Sequence, residues 1–169
     1  MIIRPLENTD RISILKLESE VYEYLENPET IKKLGHLAPH FLVSYREHEI
    51  ENLSDRSRFF HIGAFKDNKI IATAFFKKWH EDNHVINFVK SNGNKICLAR
   101  HFCVKPLHYD EKIMTQLVTE SINQLKDDGF DYMTAVAMPQ NKPSIQIINK
   151  LGFEKIGEIP QKHVYGKEL

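Results

Sequence analysis

Glycine is scarce in this chain, seven among 169 residues, and none of the seven falls in a G-x-x-x-x-G-K-[ST] or G-x-G-x-x-G pattern. Phosphate-loop nucleotide hydrolysis and dinucleotide binding therefore have no support. Charge of one sign is missing too: 23 basic and 23 acidic side chains cancel to a formal net charge of zero. A general nucleic-acid binder carries a basic surface that releases counterions, so no nucleic-acid partner is expected. No apolar run approaches the roughly 18 residues of a membrane span, and the opening MIIRPLENTD has neither the apolar core nor the cleavage site of a signal peptide. A soluble, cytoplasmic protein is expected, with no membrane partner. Cysteine occurs twice, as Cys97 and Cys103, six residues apart in one anticipated strand. At about 3.3 Å per residue they would stand roughly 20 Å apart, beyond disulfide reach, and so read as free thiols in a reducing compartment. There is no internal repeat and no low-complexity segment.

What is present is an ordinary globular composition, 41% hydrophobic and 27% charged. A chain of this length buries roughly two-thirds of its unfolded surface without disulfides or metals, so residues 1–169 are read as one domain. Met1 to Leu6 reads as an opening strand. Asn8-Thr9-Asp10 then brings turn and cap chemistry before a helix carrying Ile14, Leu15, Leu17, Val21 and Leu25, stopped by Asn27-Pro28. Shorter helices are expected over Glu29–Leu34 and Phe41–Leu53. FFHIGAF (59–65) and KIIATAFFKKW (69–79) read as antiparallel strands joined by Lys66-Asp67-Asn68. VINFV (85–89) is a further apolar piece, and Ser91–Asn94 a turn before the strand KICLARHFCV (95–104), which Pro106 closes.

From Tyr109 to Lys126, Ile113, Leu117, Val118, Ile122 and Leu125 mark one face of a helix, with Asp110 as its N-cap and Gly129 beyond its end. YMTAVAM (132–138) reads as a buried strand. Asn141 caps a helix with Ile145, Ile148 and Leu151 inward, Gly152 ends it, and FEKIGEI and HVYGKEL form a closing hairpin. The order β, helices, β-β-β, α, β, α, β-β implies an α+β fold: a mixed, mostly antiparallel sheet of six to seven strands flanked by helices.

That order, with two local signatures, resembles the GNAT superfamily of acyl-CoA-dependent N-acyltransferases. One signature is Val104-Lys105-Pro106 just before the long helix. The other is Asn141-Lys142-Pro143-Ser144 followed by Ile148-Asn149-Lys150-Leu151-Gly152-Phe153-Glu154, in which Asn141, Ser144, Lys150, Gly152 and Phe153 match the family in register. The likeness runs from Phe59 to the end. It implies acetyl-CoA or another acyl-CoA as cofactor and the primary amine of a small molecule or peptide as acceptor, in a monomer or homodimer. It further implies that the main chain at Phe102, Cys103 and Val104 holds the pantetheine arm, that Tyr109, Asp110, Glu111, Lys112, Ile113 and Met114 form the pyrophosphate loop, and that Asn141 and Ile148 line the arm's other side. The helical first third would build the acceptor pocket.

Two departures stand out. The loop that usually holds small residues has none: Lys112 and Met114 occupy those places, and Asp110 and Glu111 add two carboxylates beside the phosphates. At an effective dielectric near 20 a unit charge pair about 4 Å apart interacts by about 4 kcal/mol, so the repulsion matters unless Lys112 offsets it. The family's usual tyrosine acid is Ile148 here, which cannot donate a proton. His101, Cys103, Tyr132 and Tyr165 are the replacements considered, His101 and Tyr165 being the catalytic candidates. A relative that keeps the fold as a non-catalytic binding or regulatory module is the competing reading, and a different α+β domain the third.

No metal site is expected. His80 and His84 lie in a turn-rich stretch, and the alternating faces of the strand are expected to set His101 apart from Cys97 and Cys103. The cysteines read as buried filler.

Overall fold

A computed structural model describes residues 1–34, 53–78, 86–89, 95–108 and 112–169. The anticipated helix over 41–53, apart from Leu53, which is in a turn and buried, His80, His84, the turn at 91–94 and the loop residues Tyr109, Asp110 and Glu111 lie outside the described residues. Seven strands form one sheet: β1 (Ile2–Pro5), β2 (Phe59–Lys66), β3 (Lys69–Lys78), β4 (Ile96–Val104), β5 (Tyr132–Ala137), β6 (Glu154–Ile159) and β7 (Lys162–Glu168). Their spatial order is β1-β2-β3-β4-β5-β7-β6. Every neighbouring pair is antiparallel except β4 with β5. The described helices are α1 (Arg11–Glu26), α2 (Pro28–Leu34), α3 (Ile113–Asp127) and α4 (Lys142–Lys150). The fold is thus the expected α+β arrangement with a seven-stranded, mostly antiparallel sheet.

Two apolar layers cover the two faces of the sheet. On one face Phe60, Ile62, Phe76, Cys97, Ala99, Met133, Ala135 and Tyr165 meet Ile113, Leu117, Val118, Ile122 and Leu125 of α3. On the other, Ile70, Phe75 and Cys103 meet Ile14, Leu17, Val21 and Leu25 of α1. The periodicity of both helices is therefore that of the residues they bury, although Leu15 of α1 stays exposed. Before α1, Asp10 accepts the Glu7 N–H at 2.9 Å and a two-pronged Arg4 guanidinium at 2.7 and 2.8 Å. Arg4 holds the Asp10 carboxyl below the usual carboxylate range.

Turn chemistry falls where the sequence placed it. Asp67 and Asn68 take positive φ, 50° and 60°, between β2 and β3, a tight hairpin turn that Asn and Asp tolerate. Gly152 takes φ +77° after α4, the left-handed position where a side chain is strained. VINFV contributes one 3-10 turn, Ile86–Phe88, whose Phe88 lies where a Cβ on Gly157 would sit.

His61 of β2 is 2% exposed, and burial, with a smaller contribution from His101, pushes its pKa down to about 4. The unfolded chain takes up that proton near pH 6.5, so this stability is intact above pH 6.5 and is lost as the pH falls toward 4. A shift of that size corresponds to about 3 kcal/mol. Melting curves from pH 8 to pH 4 are expected to show His61→Leu losing less stability on acidification than the parent. An equal loss in both proteins would remove His61 as the cause.

Candidate active site

The site begins where the one parallel pair of strands comes apart. β4 and β5 are in register only from Ile96↔Tyr132 to Ala99↔Ala135. Past Ala99, β4 goes on to Val104 beside β3, while β5 goes on to Ala137 beside β7. A wedge therefore opens between Arg100–Val104 and the end of β5. On the β3 side, Lys105 donates its N–H to Ile71 at 2.8 Å. Bonded and non-bonded pairs alternate along an antiparallel ladder. Cys103 and His101 thus turn their backbone groups to β3, while Phe102 and Val104 turn theirs into the wedge.

This corrects one expectation. Of the three residues assigned to the pantetheine arm, Phe102 and Val104 offer backbone groups to the wedge, but Cys103 does not. Its side chain is also buried on the α1 face, and Cys97 is buried on the α3 face. Burial pushes both thiols up to about 12, with the Glu18 carboxylate adding to the effect at Cys103. Neither is a thiolate nucleophile at neutral pH.

A β-bulge shapes the same strand. Phe75 stands opposite His101 and Phe76 opposite Ala99, so Arg100 has no opposite number on β3. The extra residue shifts the alternation of faces. His101 therefore shares the α1 face with Cys103, and Cys97 lies on the other, instead of the expected separation of the histidine from both cysteines. Across that face His61, Phe75 and His101 form a row of rings, with centroids 4.6 and 5.5 Å apart and the Phe75–His101 pair stacked at 10°. The ring nitrogens of His101 are sealed from solvent.

At the far end of the wedge, α3 begins later than the periodicity suggested. Its N-cap is Lys112, not Asp110, and Lys112 has φ 57° and ψ 17° with no side-chain cap. A lysine thus adopts the left-handed turn that glycine takes without strain, at a cost of roughly 1–2 kcal/mol. The first backbone acceptor of the helix is Lys112, reached by Gln116 at 3.2 Å. The N–H groups of Ile113, Met114 and Thr115 precede that bond, so no intrahelical acceptor meets them. They form the ready anion cradle of a helix end that no described side chain caps. The Ile113 side chain points into the α3 core and Met114 packs against it, so both serve the cradle through their backbone.

Asn141 accepts the Ser144 N–H at 3.3 Å through its side-chain oxygen and so caps α4, which leaves its amide hydrogens to donate. Ile148 packs against the α3-side core. Tyr132 sits at the paired end of β5 with its hydroxyl over Gly166, away from the wedge. Tyr165 is 4% exposed and belongs to the α3 side, in the row Ala99–Ala135–Tyr165 where β4 and β5 last pair. His101 and Tyr165 therefore lie on opposite faces of the sheet, Tyr165 within the α3-side core.

A family model for the Acetyltransferase (GNAT) family matches residues 17–153. The chain belongs to the GNAT family. Solved GNAT structures share the fold at low identity. A PaiA N-acetyltransferase from Thermoplasma acidophilum in complex with coenzyme A is 18% identical over 99% of this chain and 98% of that one, with a TM-score of 0.69. A GNAT acetyltransferase from Listeria monocytogenes is 15% identical over 99% and 94%, with a TM-score of 0.77. The ribosomal-protein-S18-alanine N-acetyltransferase from Escherichia coli is 14% identical over 99% and 92%, with a TM-score of 0.66. No curated protein matches the chain in sequence.

The described residues of the wedge fit coenzyme A: Phe102 and Val104 would offer strand-like backbone groups to the amides of its arm, and the α3 end would suit its pyrophosphate. Two positions that the sequence reading did not single out are candidates by their placement. Glu18 is buried on α1 at 7% exposure, and its signal was a carboxylate inside the apolar stripe of Ile14, Leu17, Val21 and Leu25. Arg100 was a cation inside a largely apolar strand, and the bulge gives it its place.

Proposed function

We propose that this GNAT protein is an N-acyltransferase that moves an acetyl or other acyl group from coenzyme A to the primary amine of a small molecule or peptide. The observation that carries the reading is the pair of wedge-facing backbone positions, Phe102 and Val104, leading to an uncapped α3. Acetyl-CoA bound there supplies the activated acyl group as a thioester. His101, on the α1 face, accepts the proton of the attacking amine. Tyr165, on the opposite side, donates a proton to the departing sulfur, a role Ile148 cannot fill. Ala135 between Ala99 and Tyr165 leaves the ring room to reach over one strand spacing, about 4.8 Å.

The non-catalytic reading rested on the missing loop glycines. Lys112 answers part of it, because it holds the left-handed turn without being glycine. Val104→Pro tests the backbone assignment. The Val104 N–H takes no part in the β3 ladder, so proline there removes a wedge donor and leaves the ladder intact. Titration calorimetry is expected to show acetyl-CoA binding about three- to tenfold weaker in V104P, the range that loss of one hydrogen bond gives, with a small change in melting temperature. Parent protein that gives no heat at millimolar acetyl-CoA would overturn the enzyme reading.

A further inference from the structure

The acceptor carries its own recognition problem, and Arg100 sits where it would be solved. Arg100 is partly buried, and among the described residues no hydrogen bond or ion pair reaches its guanidinium. Arg100 is the extra residue of the bulge, between Ala99, buried on the α3 face, and His101 on the α1 face, at the point where β4 stops pairing with β5. Lys77 stands on the α1 face, opposite Leu98 and adjacent in sequence to Phe76, which faces the other way. The charged and titratable groups around the position are thus Arg100 and Lys77, with His101, His61 of β2 and the buried Glu18 of α1 further along.

The course of the cofactor puts Arg100 at the reacting end. Pyrophosphate at α3 and an arm running from Val104 back to Phe102 bring the sulfur to the apex of the wedge, beside Ala99 and Arg100. A planar, partly buried guanidinium that no described residue pairs is suited to a two-pronged carboxylate or phosphate. Resting on the acyltransferase reading above, we propose that Arg100 is the specificity residue of the acceptor site, binding an anionic group that the acceptor carries within a few bonds of its amine. Amino acids and amine phosphates fit that description. Diamines, which bring a second positive charge to Arg100 and Lys77, do not.

Matched acceptors test this. L-amino acids against their amides, and O-phosphoethanolamine against ethanolamine, are assayed by release of the coenzyme A thiol and by the mass of the N-acyl product, with KM and kcat separated. The anionic member of at least one pair is expected to have a KM lower by about tenfold or more, the pair that does so telling carboxylate from phosphate. Arg100→Gln is expected to bring that ratio to about one, and Arg100→Lys to restore part of it. Neutral amines used as well as their anionic partners would overturn the proposal. So would an Arg100→Gln variant that loses kcat on both members with the ratio intact, the behaviour of a group that stabilises charge on the thioester. If acetyl-CoA binds and no acceptor releases thiol, the acyltransferase reading fails instead. Calorimetric titration of the coenzyme A complex with each pair then decides Arg100 separately: selective binding of the anionic member, lost in R100Q, supports it, and equal binding overturns it.

Discussion

His101→Gln is expected to slow acyl transfer by about 10²- to 10⁴-fold, the usual contribution of a positioned general base. Glutamine keeps a similar volume on the stack with Phe75 and cannot take a proton at neutral pH. The loss should fall on kcat, with acetyl-CoA affinity retained, because the arm is proposed to lie against Phe102 and Val104 and the His101 backbone turns to β3. The limb of the pH–rate profile that reports a group losing its proton should disappear with it. A variant that keeps the parent's rate within about threefold, with the same profile, would move the base elsewhere. Glu18, buried on α1 and close enough to Cys103 to raise its thiol pKa, would be the next residue to replace.

The second large effect is on stability. Phe76 is fully buried between the rings of Phe60 and Phe102, whose centroids both lie 5.9 Å away, the Phe102 contact being edge-on. Phe76→Ala removes most of a ring from a site walled by β2, β4 and α3, and is expected to cost about 3–5 kcal/mol. A domain with ordinary stability of about 5–15 kcal/mol would keep little margin. Denaturant unfolding gives the number, and Phe76→Leu, which refills most of the volume, should recover the larger part. Phe102 is itself 37% exposed and borders the wedge, so Phe76→Ala should also weaken acetyl-CoA binding in whatever fraction stays folded. A loss below about 1 kcal/mol would mean that the two layers collapse into the space far more readily than a close-packed interior does.

Much of this molecule was legible from local pattern. Apolar runs rich in β-branched and aromatic residues marked β2, β3 and β5, two short pieces marked the closing hairpin, helical spacing marked α1, α3 and α4, and Asn141 and Gly152 bounded α4 as caps should. These features depend on neighbours within a few residues, which is why one sequence suffices to read them. The start of α3 was misplaced for the converse reason. Asp110 has the better cap chemistry, but the helix axis is set by Ile113 and Leu117 packing on the sheet, and Lys112 is drawn into a left-handed turn to meet it.

The active-site candidates show the same division. The sequence by itself determined the family signature, the absence of loop glycines, and the set of residues with suitable chemistry, His101 and Tyr165 among them. Only the tertiary structure decided how they are arranged. The bulge at Arg100 depends on the register between β3 and β4, and one inserted residue exchanges the faces of everything on one side of it. The wedge depends on where β4 stops pairing with β5, a choice made by strands 30 or more residues apart in the chain. From these came the sealing of both thiols, the turning of the Cys103 backbone to β3, the placing of His101 and Tyr165 on opposite faces, and the place of Arg100 in the bulge. Side-chain chemistry is written in the residue type, but which face a strand residue shows is written in its partners.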